Sequence, residues 1–425
     1  MKKRIKNSSL ILLSLAIAAC ATLDDQRTMT MTVIGMNDVH GELVPRPDRG
    51  GIAGLSGFID AVRAARAEDG GAVLVIDAGD MWQGTLESNL HEGAPVVAAY
   101  NAIGVAAAAV GNHEFDFGPV GKQAIPASAA DDPRGALKLR ASEAEFPLLA
   151  ANIIDESTGR PVTWPNTQPS TIVDVQGIKV GIIGVLSKSG LVTTIAANTV
   201  GVRLAPLAST ITAEARKLRD AGATVVIVTA HAGGRCKQFD DPRDLSSCDT
   251  GDEIIRVARA LPSGLVDHII GGHVHGGVAH YVNGISVTSS YSRTLAFSRV
   301  DLTIDRDSGA VKRTRLYPPQ QACLTVVRGS ERCATPEDDR VETIVYEGRR
   351  VTPNPAVAEI AEEAVAYAEA IRDERLGVRL TAAFPHPPAT ESPLANLMTQ
   401  AVVESTDGDV AIHNVVGGIR NTLPA

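Results

Sequence analysis

The sequence predicts an α/β fold in which the strands pair in a largely parallel manner. Three observations lead to this prediction: short apolar runs typical of buried strands recur along the chain, helical patterns separate several of them, and polar residues follow the runs at their carboxyl ends. Strands that alternate with helices favour a sheet with helices packed on its faces. Because 425 residues exceed the size of one small core, we also expect two folded domains.

Five apolar runs predict strands, and each of them ends in Asp, His or Asn. These runs are MTMTVIGMNDVH (29–40), AVLVIDAGD (72–80), AAAAVGNHEFD (106–116), TVVIVTAHAGG (224–234) and VDHIIGGHVHGG (266–277). Helical patterns occupy GGIAGLSGFIDAVRAARAEDGG (50–71), which ends in glycine, and ASTITAEARKLRDAGA (208–223).

The charge balance argues against one broad class of partner. The chain carries 40 basic and 49 acidic residues, which gives a net charge of −9. A protein that binds nucleic acids in general presents a basic face, so we expect no nucleic-acid polymer as a partner. If the substrate is an anion, something other than side-chain charge must attract it, and a bound metal would serve.

Residues 1–27 predict a lipoprotein signal and tether. A basic start with Lys2, Lys3 and Arg4 precedes the apolar stretch SSLILLSLAIAA, which is too short to span a membrane comfortably. Small residues before Cys20 resemble a bacterial lipobox, in which the cysteine carries lipid, and an ordinary cleaved signal is the alternative. We therefore expect a periplasmic protein of a Gram-negative bacterium, held at the outer membrane only through the lipid on Cys20.

The other four cysteines form two closely spaced pairs, Cys236 with Cys248 and Cys323 with Cys333. In an oxidising compartment such pairs predict disulfides that staple loops. A zinc site is the alternative, but neither pair has CxxC spacing, and we favour the disulfides.

The polar residues at the strand ends predict a metal centre. In open α/β sheets the functional crevice lies beyond the carboxyl ends of the strands, and five of the ten histidines lie there: His40, His113, His231, His273 and His275. Imidazole, carboxylate and amide donors without thiolate suit Zn, Mn, Fe or Co. Seven candidate ligands are too many for one ion. Two ions that share a carboxylate fit better, and phosphoester hydrolysis is the natural use of such a pair.

Several motifs resemble those of the calcineurin-like metallophosphoesterase superfamily. They are D-x-H at 38–40, G-D at 79–80, G-N-H-E-x-D at 111–116, H-A-G at 231–233 and G-G-H-x-H at 271–275. The stretches MWQGT (81–85), FDFG (115–118) and AANI (150–153) are similar to the 5'-nucleotidase branch, which includes UDP-sugar hydrolases and 2',3'-cyclic nucleotide phosphodiesterases. The resemblance implies a four-layer αββα metallophosphoesterase domain, which we place at residues 28–335.

The resemblance also implies a role for each motif residue. The ligand roles fall into three groups: a first ion held by Asp38, His40 and His275, a second ion held by Asn112, His231 and His273, and a bridge formed by Asp80. His113 would meet the phosphate and stabilise the transition state, while Asp116 would orient it and keep it cationic. Relatives carry either His or Gln at the position of His275, so the resemblance leaves the metal identity open.

The C-terminal stretch resembles a linker and the start of a second α/β domain. The pattern predicts one helix, which ends at Gly377 and has an apolar stripe of Val357, Ile360, Ala361, Ala364, Ala368 and Ile371. The resemblance implies that residues 336–378 form a linker containing this helix, and an amphipathic surface helix is the alternative. Residues 379–425 resemble the opening of the family's nucleotide-binding domain, with Asn414 and Arg420 as substrate-binding residues. We expect this domain to be incomplete, and Thr390 stands where an arginine is common in the family.

Taken together, these features predict an exported dinuclear-metal phosphoesterase that converts nucleoside 5'-monophosphates to nucleosides and phosphate. A UDP-sugar hydrolase, a 2',3'-cyclic nucleotide phosphodiesterase and a metal-dependent thiosulfohydrolase of sulfur oxidation are the enzymatic alternatives. A surface lipoprotein whose site only binds is the non-enzymatic alternative, and the intact set of candidate ligands argues against it.

Overall fold

The computed structural model describes residues 27–375, 377–385, 391–406, 408–412 and 422–423. Cys20, Thr390, Asn414 and Arg420, to which the sequence assigns significance, lie outside these residues. Contacts divide the chain into a first unit that ends at Ala368 and a second unit that begins at Glu369. This division falls inside the segment that the sequence predicts to be a linker.

Eight α-helices lie in the described part of the chain. They are α1 (Gly51–Asp69), α2 (Leu86–Asn89), α3 (Ala94–Ile103), α4 (Gly135–Glu143), α5 (Leu207–Asp220), α6 (Glu253–Ala260), α7 (Pro355–Arg372) and α8 (Pro393–Ser405). Short 3-10 helices span His113–Phe115, Gly190–Val192 and Ala196–Thr199.

Twenty strands accompany these helices in the described residues. They are β1 (Thr28–Met36), β2 (Ala72–Asp77), β3 (Ala107–Ala109), β4 (Leu148–Leu149), β5 (Ile153–Asp155), β6 (Thr167–Gln168), β7 (Ser170–Val175), β8 (Ile178–Leu186), β9 (Val202–Leu204), β10 (Val225–His231), β11 (His268–Gly271), β12 (Gly277–Val282), β13 (Ile285–Ser290), β14 (Ala296–Asp305), β15 (Val311–Leu316), β16 (Gln320–Gln321), β17 (Thr325–Val327), β18 (Val341–Thr343), β19 (Val345–Tyr346) and β20 (Arg349–Arg350).

Two large sheets organise the first unit. The first sheet has the order β15–β14–β1–β2–β3–β4–β6, with β16 paired to β14, and the second has the order β12–β13–β11–β10–β8–β7. Strands β1, β2, β3, β4 and β6 pair in parallel, as do β8, β10, β11 and β13, whereas the outer strands pair antiparallel. The prediction of largely parallel pairing is therefore confirmed.

Three apolar cores stack these elements into four layers. The central core lies between the sheets, where Met31 of β1 and Ile227 of β10 are fully buried. A second core joins the first sheet to α1, α3 and α4, and a third joins the second sheet to α5 and α6. The resulting order helix, sheet, sheet, helix is the four-layer arrangement that the resemblance implies.

The sequence predicts the position of α1 well. This helix ends at Asp69 because Gly70 adopts a left-handed conformation with φ of 69°, and its N–H donates to the carbonyl of Arg66. Glycine is the residue that adopts this conformation without a steric cost. The glycine at the end of the helical pattern is therefore its C-terminal cap.

The predicted linker helix is present as α7, with two differences. It ends at Arg372 rather than at Gly377. Four residues of the predicted stripe are buried, namely Val357, Ala361, Ala364 and Ala368. Ile371 is 41% exposed.

Two disulfides staple loops of the first unit. Cys236 is bonded to Cys248, and Cys323 is bonded to Cys333. His280 lies close to the first pair, but bonded sulfurs are not thiolate ligands, so the structure gives no support to a zinc site there. Among the described residues, no helix combines the length and the apolar character needed to cross a bilayer.

Candidate metal centre

The structure places the seven predicted ligands in turns at one edge of the two sheets. Strands β1, β2 and β3 of the first sheet and β10 and β11 of the second all run toward this edge. The residues at or just after the ends of these strands are Asp38, His40, Asp80, Asn112, His231, His273 and His275. Packing of the two sheets through the central core brings these turns together.

The first cluster consists of Asp38, His40 and His275, whose candidate ligand atoms lie within 4.8 Å of one another. The Nε2 atoms of His40 and His275 are 3.0 Å apart, and His275 Nε2 lies 3.3 Å from a carboxylate oxygen of Asp38. Asp38 and His40 are buried, whereas the side chain of His275 is 44% exposed. This cluster therefore has one side open to solvent.

The second cluster consists of Asp80, His231 and His273, again within 4.8 Å, with Asn112 between them. The side-chain oxygen of Asn112 lies 3.0 Å from His231 Nε2 and 2.9 Å from His273 Nδ1. Asp80 Oδ2 is 3.1 Å from His231 Nε2. These are nitrogen and oxygen donors without sulfur, which is the donor set that borderline divalent metals accept.

Asp80 belongs to the second cluster and also faces the first. Its Oδ2 atom is 3.1 Å from His231 Nε2 in the second cluster and 4.0 Å from His40 Nε2 in the first. Its other carboxylate oxygen accepts a hydrogen bond of 2.9 Å from the backbone N–H of His113. One carboxylate oxygen thus faces both clusters, which is the position that a bridging ligand requires.

Backbone carbonyl groups fix the orientation of two of the histidine rings. His40 Nδ1 is 2.8 Å from the carbonyl of Gln83, and His231 Nδ1 is 2.8 Å from the carbonyl of Ala78. Because a carbonyl can only accept, each Nδ1 carries a proton, so Nε2 is the nitrogen that faces the centre, where a proton or a cation can bind. This is the arrangement found in metal-binding histidines, so these residues fit divalent ions.

Strained turns aim several of these side chains. Asp38, His40, Asp80, His273 and His275 all have positive φ, between 49° and 74°. A non-glycine residue held in this region costs on the order of 1–3 kcal/mol, and such strain clusters at functional sites. These turns therefore lower the stability of the folded chain while they direct their side chains into the crevice.

His113 and Asp116 form a separate pair beside the clusters. His113 Nδ1 lies 2.5 Å from Asp116 Oδ2, and the ring of His113 is 5.2 Å from the ring of His40. Burial lowers the pKa of His113, but the hydrogen bond to Asp116 and the charge of Asp80 outweigh it and raise the pKa to about 8. His113 is 30% exposed at its side chain and can meet a ligand in the crevice.

The charges of the centre favour bound cations. Burial opposes the ionised form of Asp80, but His231 and His40 hold the pKa of this carboxyl below its usual range. Burial likewise opposes the charged form of His231, yet the attraction of Asp80 raises its pKa to about 10. Positive charge is therefore strongly stabilised at this position, and a divalent cation satisfies the carboxylate as a proton does.

Residues 187–189, which follow β8, contact the second cluster and were not among the predicted site residues. Ser189 Oγ lies 3.1 Å from His273 Nε2 and 3.0 Å from Ser187 Oγ, and the Ser187 hydroxyl donates to Glu253 at 2.6 Å. The N–H of Ser187 also donates to the carbonyl of His231 at 2.8 Å. Glu253 thus orients His273 through two serine hydroxyls.

The next residues of the same segment hold the remaining parts of the site. The amide of Asn112 donates to the carbonyl of Thr193 at 3.2 Å, and the hydroxyl of Thr194 donates to Asp116 at 2.6 Å. The feature of the sequence that could have indicated this segment is the apolar run that forms β8, because β8 ends at the same edge of the sheet as its parallel neighbour β10. Serine and threonine carry no ligand signature, so strand-end chemistry alone did not identify them.

Glu114 is a second residue that the sequence reasoning left without a role. Its buried carboxylate accepts hydrogen bonds from the backbone N–H groups of Asp80 at 2.9 Å, Met81 at 2.7 Å and Gly111 at 2.7 Å. Glu114 therefore ties the turn after β2 to the turn after β3. The GNHE motif contained it, but its partners are backbone groups that a sequence does not reveal.

Asn152, in the AANI stretch, stabilises the end of the strand that leads to the second cluster. Its amide donates to the carbonyl of Leu186 at 2.7 Å, and its oxygen accepts from the N–H of the same residue at 2.8 Å. Asn152 is fully buried and fixes the end of β8, immediately before the segment that contacts the second cluster.

The chain matches the family model of the calcineurin-like phosphoesterases over residues 31–277. This match covers more than half of the chain, and the chain therefore belongs to the calcineurin-like phosphoesterase family. It is accordingly a hydrolase of a family that uses divalent metal ions, and the two clusters are its candidate ligand groups.

The chain is similar to individual proteins of known name over part of its length. Protein UshA of Yersinia enterocolitica is 29% identical over 253 residues, which are 59% of this chain and 41% of that protein. A 5'-nucleotidase of Vibrio cholerae is 33% identical over 179 residues, which are 41% of this chain and 29% of that protein. The chain thus aligns with less than half the length of these curated relatives.

A solved structure shows the same fold. The crystal structure of a 5'-nucleotidase precursor from Thermus thermophilus superposes with a TM-score of 0.61 at 23% identity, over 93% of this chain and 71% of that chain. At this level of identity the similarity establishes the fold, and the chemistry must be argued from the site.

Proposed function

We propose that the protein is an exported dinuclear-metal phosphoesterase that releases phosphate from nucleoside 5'-monophosphates. The observation that carries this proposal is the position of Asp80, one oxygen of which faces both ligand clusters while His113 stands beside them. An arrangement with two metal positions and a separate cationic donor suits in-line displacement at phosphorus.

In this proposal the first ion is held by Asp38, His40 and His275, the second by Asn112, His231 and His273, and Asp80 bridges them. The ions would be Zn, Mn, Fe or Co, because the donors are imidazole, carboxylate and amide groups. When bound, they would supply Lewis acidity and make water nucleophilic at neutral pH.

The chain's own contribution to the chemistry lies in His113. The protonated ring would donate a hydrogen bond to a phosphoryl oxygen whose negative charge grows in the transition state. Asp116 holds the ring at 2.5 Å, and Thr194 holds Asp116 at 2.6 Å. The donor is therefore oriented before the substrate arrives, which reduces the reorganisation that the reaction requires.

Two considerations support a nucleotide as the substrate. The motifs MWQGT, FDFG and AANI resemble the 5'-nucleotidase branch, and the Vibrio cholerae relative is named a 5'-nucleotidase. UDP-sugars and 2',3'-cyclic nucleotides are the competing substrates within the same branch.

A substrate panel tests the proposal. The purified chain is assayed with p-nitrophenyl phosphate, AMP, GMP, UMP, a UDP-sugar and a 2',3'-cyclic nucleotide, and Asp80→Ala serves as the inactive control. A higher kcat/KM for nucleoside monophosphates than for the other nucleotides supports the proposal. A preference for the UDP-sugar or the cyclic nucleotide assigns the corresponding alternative, and failure of the metal-loaded protein to cleave any of them rejects a phosphoesterase.

We also propose that the protein acts in the periplasm and is tethered by lipid on Cys20. The N-terminal sequence pattern supports this location, and the disulfides Cys236–Cys248 and Cys323–Cys333 are typical of an oxidising compartment. In this proposal Cys20→Ser releases soluble protein into the periplasm, whereas the wild type fractionates with the outer membrane. Wild-type protein that is already soluble in the periplasm would contradict the tether.

A further inference from the structure

A groove rich in arginine lies on the outer face of the first sheet. Its volume is about 380 Å³, and we define the arginine groove by Arg66 of α1, Arg299 of β14, Arg313 and Arg315 of β15, and Tyr317. The opposite face of the same strands forms the core between the sheets. Thr30 of β1 also lines the groove. Arg315 is joined through Asp301 to Thr32 of β1, which lies six residues before Asp38, roughly 20 Å at the rise of an extended strand. The groove is therefore separate from the metal centre.

The carboxylates of the groove are already occupied. Asp301 accepts from Arg299 Nε at 3.1 Å, from the Tyr317 hydroxyl at 2.8 Å and from Thr32 at 2.7 Å. Glu347 pairs with Arg299 as well. Asp69, the third carboxylate, pairs with Arg66 at 2.8 Å. Each of the three carboxylates that line the groove is thus paired with Arg299 or Arg66.

Two of the four guanidinium groups have no negative partner. Within the described residues, no carboxylate oxygen lies within the 4.0 Å limit of an ion pair from Arg313 or Arg315. Lys312, which lies on the same strand, pairs instead with Asp305 at 3.5 Å. Two guanidinium groups without a carboxylate partner therefore flank the groove, whose four arginines and three carboxylates carry a net charge of +1, in a protein whose net charge is −9.

The groove also holds hydrogen-bond donors in a defined arrangement. The guanidinium of Arg315 lies 4.6 Å from the centroid of the Tyr317 ring, which carries Arg299 at 4.4 Å. Arg313 and Arg315 are opposite Thr303 and Asp301 of β14, so both side chains start from the same face of β15. The buried Nε of Arg66 has no hydrogen-bond partner among the described residues. Stacking on Tyr317 limits the conformations of Arg315 and lowers the entropy lost when it binds a ligand.

We propose that the arginine groove binds a small phosphate-type dianion, with Arg313 and Arg315 as the principal donors. Planar guanidinium groups match the geometry of phosphate oxygens and donate two hydrogen bonds each. A doubly charged tetrahedral anion can accept from both arginines, neither of which is paired with a carboxylate among the described residues. The proposal is independent of the function of the metal centre.

A purely structural role on the edge of the sheet would also account for the charges of Arg313 and Arg315. Strand β15 is an edge strand of the first sheet, and positive residues on edge strands prevent pairing with other chains. That role requires charge on the strand but no particular side chain. Lys312 on the same strand therefore provides a matched control, because its substitution removes one charge outside the groove.

Titration of the metal-loaded protein with inorganic phosphate tests the proposal. Isothermal titration calorimetry gives the number and affinity of bound phosphate ions for the wild type, R313Q, R313Q/R315Q and K312Q. Each arginine that is lost should weaken the groove site about tenfold, as expected for a charge-assisted hydrogen bond. The double variant should bind one phosphate fewer per chain, whereas K312Q should match the wild type.

The activity assay shows whether the change is confined to the groove. Because the groove is far from the metal centre, R313Q/R315Q should keep the wild-type kcat and KM. R313Q alone covers the case in which the double variant fails to fold, since the exposed Arg313 makes no stacking contact. The proposal would be overturned if R313Q bound as many phosphate ions as the wild type with the same affinity. It would also be overturned if K312Q lost as much phosphate affinity as R313Q.

Discussion

Substitution of Ser189 by alanine tests the link between the segment after β8 and the proposed second metal position. The substitution removes the hydroxyl that lies 3.1 Å from His273 Nε2 and 3.0 Å from Ser187 Oγ. His273 then loses the only partner that its Nε2 has among the described residues, and Glu253 no longer orients the ring.

The expected effect follows from the strength of that contact. Loss of a hydrogen bond behind a metal ligand weakens metal binding about ten- to a hundredfold, or about 1.4–2.7 kcal/mol. His273 is partly exposed, so water can replace part of the lost bond, and we expect the lower end, about tenfold. Only the ion of the second cluster should be affected, because Asp38, His40 and His275 do not contact Ser189.

Competition with a chromophoric chelator measures the two dissociation constants separately. Ser189→Thr keeps the hydroxyl and should bind metal nearly as the wild type does. Ser142→Ala is the matched control, because Ser142 is exposed on α4 and its hydroxyl donates only to the carbonyl of Leu139 at 2.7 Å. Wild-type affinity for both ions in Ser189→Ala would refute the argument, as would an equal loss in Ser142→Ala.

Three further predictions concern the centre and the sheet behind it. Asp80→Ala should lose both ions and His275→Ala one, by elemental analysis, and one ion or none in the active wild type would contradict the ligand assignment. His113→Ala should retain its metal while kcat falls roughly 10²–10³-fold, as for the loss of one preorganised donor; loss of metal instead would exclude the assigned role. Burial lowers the pKa of His268 from 6.5 to about 4, so between these pH values the unfolded chain binds a proton that the folded chain does not, and stability falls on acidification by about 3 kcal/mol. Urea unfolding at pH 7 and pH 4 should show that His268→Gln loses less unfolding free energy on acidification than the wild type. An equal loss in the two proteins would show that His268 does not cause it.

The chain's local pattern was sufficient to predict five of the twenty described strands, β1, β2, β3, β10 and β11, and the polar chemistry at their ends. Buried strands such as β10 are continuous apolar runs, and the polar residue that ends each run is visible without any tertiary information. The candidate ligands could be predicted in this way, whereas the family and the four-layer fold followed from the resemblance of the motifs at these strand ends. The assignment of a role to each ligand remains a prediction that the metal analysis tests.

What the sequence did not determine depends on contacts between distant parts of the chain. Ser189 and His273 are 84 residues apart, and Glu114 contacts the backbone of Asp80 across 34 residues. Serine hydroxyls and backbone N–H groups occur throughout a chain, so their identity carries no signal until packing places them.

The sequence by itself determined which side chains could serve as ligands, because residue type and strand-end position are local properties. Only the tertiary structure decided how they meet: the central core sets two sheets face to face, which brings Asp80 of one sheet within 3.1 Å of His231 of the other. The positive φ angles of turns such as those at Asp38 and His275 likewise appear only in the folded chain. Neither residue type favours this backbone conformation alone, and the packing around the turns offsets its cost.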